Sequence, residues 1–171
     1  MSQNTKVYTE PGGAKKVVAS GGEIEIQSGG LFDAQSGSII TGLVLNLRTR
    51  ATAAQVNAGL ALLPALAGYK YRIVDFTMIA IGGSAATATS VDIVTTQAAS
   101  AARPFVVAVA ALTQSAVVKP DSANVTVLAD GASFIANDEN SGVYVSKQAA
   151  GSNLATATHI DVNLTYVIEA A

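Results

Sequence analysis

"HIDVNLTYVIEA", residues 159–170, alternates cleanly from His159 to Tyr166. Ile160, Val162, Leu164 and Tyr166 share one face, and His159, Asp161, Asn163 and Thr165 share the other. A period of two is the strand period, and a strand with one apolar face needs a second layer to cover it. Upstream, "YKYRIVDFTMIAIG" (69–82) sets Tyr71, Ile73, Asp75 and Thr77 against Arg72, Val74, Phe76 and Met78. Both of its faces become apolar toward Ile79–Ile81, which predicts a strand buried on two sides.

Between these two lie further strand-like runs: "SVDIVTT" (90–96), "RPFVVAVAAL" (103–112), "SAVV" (115–118), "ANVTVLA" (123–129), "SFIA" (133–136) and "SGVYVSK" (141–147). Turn signals separate them at Gly82-Gly83, Pro120-Asp121, Asp130-Gly131, Asn137 to Gly142 and Gly151-Ser152. Strands at roughly ten-residue spacing with turns between predict an all-β fold, an antiparallel β-sandwich of jelly-roll type. The sandwich is expected over 43–171, opening with the strand "LVLNLRT" (43–49). One short helix is expected over 52–63, "TAAQVNAGLALL". Thr52 would cap it, Val56, Leu60 and Leu63 follow helical spacing, and Pro64 ends it.

Residues 1–42 read differently. Ser-Gly-Gly stands at 20–22 and again at 28–30, and Ser-Gly-Ser follows at 36–38. Each glycine turn is followed two residues later by an apolar residue, Ile24, Phe32 and then Ile40, with Ile26 continuing the first alternation. A glycine pair at 12–13 places Val17 in the same role. The pattern predicts a β-repeat arm of short strands and tight turns, in which glycine reaches positive φ at little cost. Four residues of strand rise only ~13 Å and offer two inward side chains each. Such rungs bury nothing until they stack on other protein. The arm is therefore expected to pack on its own following domain, on other copies of the chain or on a foreign surface, with Val17, Gly21, Gly22, Ile24, Ile26, Gly29, Gly30, Phe32 and Ile40 as the candidate contacts to a capsid or within a trimer.

Composition narrows the function classes. Only 13% of the 171 residues are charged, and Cys is absent, so the chain has neither a disulfide framework nor a thiolate metal site. Net charge is −2, which does not suggest nucleic acid as a partner. Residues 1–72 hold seven basic and four acidic residues, against three and eight in the remainder, so the mildly basic front suits an acidic surface. No apolar run approaches the ~20 residues of a membrane span, and "MSQNTKVYTE" lacks the apolar core of a signal peptide. A soluble product of cytosolic synthesis is expected, with no membrane partner.

Catalytic patterns are thin. His159 is the sole histidine, and no nucleophile-elbow pattern accompanies it. The carboxylates are few, and Trp, the usual sugar-stacking ring, is absent, which disfavours a glycosidase. "NDENSG" (137–142) holds a fragment of a calcium-loop spacing without its terminal glutamate and is expected to be a hairpin loop. Gly82-Gly83 lacks the Lys-Ser/Thr of a phosphate cradle. No enzyme activity, metal or cofactor is expected.

"VYTEPGGAKKVVASGGEIEIQSGG" (7–30) resembles the leader of many tailed-bacteriophage virion proteins, in which an aromatic-Thr-Glu-x-Gly-Gly stretch precedes serine-glycine-glycine repeats. "LLPALAGYKYRIVDFTMIAIGG" (62–83) looks like the start of the sandwich in phage head-decoration and head-fibre proteins. The resemblance covers the first forty residues closely and the sandwich in outline. It implies a capsid decoration or cement protein: a homotrimer on the outer surface of the virion that binds the major capsid protein. The alternative class is a fibre or tail appendage whose sandwich binds host-surface glycans. Exposed loop aromatics would mark it, with Phe105, Phe134 and Tyr144 as the candidates.

Overall fold

The structure, a computed structural model, describes residues 7–9, 16–19, 41–96, 101–127, 140–147 and 151–171. The chain divides into two compact units, 1–38 and 39–171. In the first, β1 (Val7–Thr9) pairs antiparallel with β2 (Lys16–Val18), Tyr8 standing opposite Val17.

The second unit is an antiparallel sandwich. Its first sheet has the order β3 (Leu45–Thr52), β10 (His159–Ala170), β5 (Tyr69–Ile81). Its second has the order β4 (Leu60–Leu63), β9 (Val143–Lys147), β6 (Ser90–Thr96), β7 (Ala101–Ala108), β8 (Val125–Val127). The pairs β3–β10, β4–β9 and β6–β7 are nested in sequence. Between the last two, Val118 bridges Met78 of β5 through paired N–H···O=C bonds of 2.8 and 2.9 Å. These are the rungs of one long antiparallel ribbon. Winding it over brings β10 beside β5 and β9 beside β6, which closes both sheets and makes the fold a jelly roll.

The core lies between the sheets. Ile160, Val162 and Leu164 enter it from β10, Phe76, Met78 and Ala80 from β5, Val91 and Ile93 from β6, and Val143 and Val145 from β9. Phe76 meets Phe105 of β7 with ring centroids 5.0 Å apart, tying one sheet to the other. Each fully buried large apolar side chain contributes about 1.5–3 kcal/mol. Tyr71 is also buried. Its hydroxyl donates to the Pro64 carbonyl at 2.6 Å, its ring stands edge-on to Tyr166, and burial pushes its pKa up to about 12.

Three expectations are corrected. The helix α1 spans only Ala53–Ala58. Its start is as read: the Thr52 hydroxyl accepts from the Gln55 amide, and the Gln55 side chain accepts in return from the Thr52 amide. It stops because Gly59 adopts φ +84°, and Leu60 onward pairs with β9. A bulge there buries the consecutive Leu62 and Leu63, so the apparent helical spacing is one turn of helix followed by a bulged strand.

In β5 the faces exchange midway. Thr165 pairs with Asp75 but Tyr166 pairs with Ile73, leaving Val74 as the extra residue of a bulge. The buried series is therefore Tyr71, Ile73, Phe76, Met78 and Ala80, while Val74 and Asp75 are exposed. The third correction concerns burial near the strand's end: Ile79 and Ile81 are half-buried, so that part is not closed on two sides. Two strand boundaries also move. "SAVV" contributes a single bridge at Val118, and β7 ends at Ala108. "SFIA" and the first half of "NDENSG" (137–139) lie outside the described residues.

Candidate functional site

The outward side chains of β3, β10 and β5 form a polar surface with a groove of about 410 Å³, lined by Arg48, Arg50, Asp161, Asn163, Thr77, Ile79 and their neighbours. Strand register builds it. In each antiparallel pair of β3 and β10 the facing residues are Asn46 with Thr165, Arg48 with Asn163, and Arg50 with Asp161. Asn46 Nδ2 donates to Thr165 Oγ1 at 3.2 Å. Arg50 grips Asp161 with two parallel bonds, Nε and Nη2 each 2.7 Å from a carboxylate oxygen. That fork holds the Asp161 carboxyl below the usual carboxylate range. Further along, Arg72 of β5 pairs with Glu169 of β10 at 2.7 Å.

Between these satisfied pairs one rung differs. Arg48 has no ion-pair partner among the described residues, and Asn163, its cross-strand partner, has a buried Oδ1 that accepts no hydrogen bond there. The groove therefore offers an uncommitted guanidinium beside an uncommitted amide oxygen. It also lies at a sheet boundary, since β3 pairs only with β10 and its other edge is open among the described residues.

The remaining edges are blunted. β4 has four residues and β8 three. The far edge of β5 is met by the Asn140 amide on the Tyr69 carbonyl and by Val118 at Met78, with the Val74 bulge between. β3 runs eight residues with no proline, lysine or bulge. Leu43 and Val44, 56% and 66% exposed, lead into it.

A second polar cluster sits on β6. Asp92 is completely buried, with Arg103 Nη1 3.2 Å from Oδ2, while Oδ1 and the hydroxyls of Ser90 and Thr95 meet no hydrogen-bond partner of good geometry among the described residues. Burial pushes the Asp92 carboxyl above its ordinary range, with the nearby Ser90 hydroxyl and the Arg103 guanidinium opposing. Sequence reading missed this residue because Asp92 stands in an alternating strand like any outward acid, and burial is the only signal that distinguishes it.

The residues singled out from sequence scatter. Val17 is half-buried in β2. Gly21, Gly22, Ile24, Ile26, Gly29, Gly30, Phe32 and Ile40 lie outside the described residues. His159 opens β10 on the outer face with Nδ1 3.0 Å from Thr158 Oγ1, and the carboxylate sharing that face, Asp161, is committed to Arg50. Asn140, in the left-handed region at φ +58°, accepts from the Gly68 amide through Oδ1, so this end of "NDENSG" clamps the start of β5. Among the candidate aromatics, Phe105 is buried in the core, Tyr144 is half-buried on β9, and Phe134 lies outside the described residues. No group of three metal-ligating side chains occurs among the described residues. Compared with known proteins, the chain matches no family model and no curated protein.

Proposed function

We propose that this chain is a structural virion protein, one that decorates a phage head and stabilises it by linking neighbouring major capsid subunits. The observation that carries the reading is the finite glycine-turn repeat of 20–38 joined to a jelly roll. Every buried apolar side chain among the described residues comes from Ala51 to Ile168, so the sandwich core is furnished from within its own unit. The repeat, with two inward side chains per rung, has too little apolar surface to close on itself and is suited to burying that surface against other chains. Copies arranged as a trimer on the outer capsid surface would each hold adjacent subunits, and removing any one subunit would then cost the contacts of all. The role is mechanical and needs no reaction centre.

The test is occupancy. Full-length chain is expected to bind purified heads at saturating stoichiometry and to raise the temperature at which they release DNA. Deleting 1–42 is expected to abolish both effects. Unchanged occupancy by the truncated chain, measured by sedimentation with the heads, sinks the assignment.

A further inference from the structure

We propose that the open edge of β3 is a strand-addition site whose occupant is an acidic, alternating segment from a second copy of this chain. This rests on reading the chain as an assembling protein and names the surface through which copies join. An unpaired edge of eight residues, unprotected by bulge or proline, is a template for backbone pairing. Its side chains choose the partner. Arg48 and Arg50 project from the outer face two residues apart, while Leu45 and Leu47 lean on the core.

Pairing of two β3 edges with each other is disfavoured, because it would set the Arg48 of both copies on one face with no incoming acid to meet either. A strand with acids at alternate positions and aliphatics between them meets both requirements. The sequence contains such a stretch in "GEIEIQ" (22–27). Glu23 and Glu25 have the spacing of Arg48 and Arg50, and Ile24 and Ile26 have the spacing of Leu47 and Thr49. In antiparallel pairing Glu25 falls opposite Arg48 and Glu23 opposite Arg50; in parallel pairing the two acids exchange. Arg48 has no ion-pair partner among the described residues, so it is free to engage the incoming acid without breaking a bond inside the sandwich.

The experiment uses the full-length chain and its solution mass by light scattering. Wild type is expected to self-associate. Arg48→Glu, an exposed change that leaves the Arg50–Asp161 fork intact, is expected to weaken association about tenfold, since reversal turns one cross-strand attraction into repulsion. Adding Glu25→Arg restores the mass if pairing is antiparallel, and adding Glu23→Arg restores it if parallel. Equal thermal melts of the variants exclude misfolding as the cause. A monomeric wild type, an Arg48→Glu chain that assembles normally, or rescue by neither glutamate overturns the proposal. Head binding separates it from the functional reading. A monomer that still saturates heads removes the edge assignment alone. An assembled chain that ignores heads removes the decoration role alone.

Discussion

Asp92 and Asp161 show how one residue type acquires opposite behaviour from its surroundings. Asp161 lies at the surface in a two-bond fork from Arg50, which favours its charged form. Its contribution to stability is present above the unfolded-state value of about 4 and fades as pH falls through the lower folded value. Asp92 is buried on β6 with one oxygen that meets no partner among the described residues, and burial favours the proton. A carboxyl that holds its proton more tightly when folded contributes stability that is complete below about pH 4 and is lost as pH rises through the folded value. Asp92→Asn removes this second dependence. Urea midpoints between pH 4.5 and 7 should decline in the wild type more than in the variant. Parallel curves would mean that Asp92 titrates as an ordinary surface acid.

Among the elements, β5 depends on a single added residue. The Val74 bulge lets Tyr71 and Ile73 face inward along with Phe76, Met78 and Ala80, across a stretch where strict alternation would turn one group outward. Val74 itself is 52% exposed and packs little. Val74→Ser is therefore expected to change stability by less than about 0.5 kcal/mol. Deleting Val74 sets Asp75 directly after Ile73, opposite Thr165 and Tyr166, so strict alternation keeps Tyr71, Ile73, Phe76, Met78 and Ala80 inward without a bulge, and stability is expected to change by less than about 1 kcal/mol. Denaturant titration of the two variants checks this, and a loss above ~2 kcal/mol in the deletion would show that the extra residue is itself needed for the fold. The helix carries the same lesson. Its Thr52 cap was legible, but the answering bond from Gln55 was found only in the structure, and its end depended on Gly59 and on the pull of β9 upon Leu60.

For the whole molecule, the contact between Phe76 and Phe105 joins the two sheets at the centre of the jelly roll. The partners come from neighbouring rungs of the ribbon that end in different sheets, so their meeting depends on the winding rather than on either strand. Phe76→Ala is expected to cost about 3–5 kcal/mol, the range for an aromatic removed from a packed core. A loss below ~1 kcal/mol in chemical unfolding would show that the sheets are held together elsewhere. The same winding leaves β3 as the long open edge, which is why the surface proposed for assembly belongs to the sandwich as a whole.

Strand content, the clean face of β10, the start of α1 and the break at Gly82-Gly83 were legible in the amino-acid order, because each is a local preference expressed over a few residues. The antiparallel sandwich was legible too, since alternating runs with one apolar face have few ways to cover it. The tertiary structure decided the rest. It set the bulge that exchanges the faces of β5, the conversion of half a helical pattern into β4, the burial of Asp92 and of Phe105, and the pairing of Arg48 with Asn163 beside a free edge. Those outcomes depend on register between strands that are mostly far apart in the sequence, as Arg48 against Asn163 and Ile73 against Tyr166, where backbone pairing and core packing outweigh the preferences of any short segment.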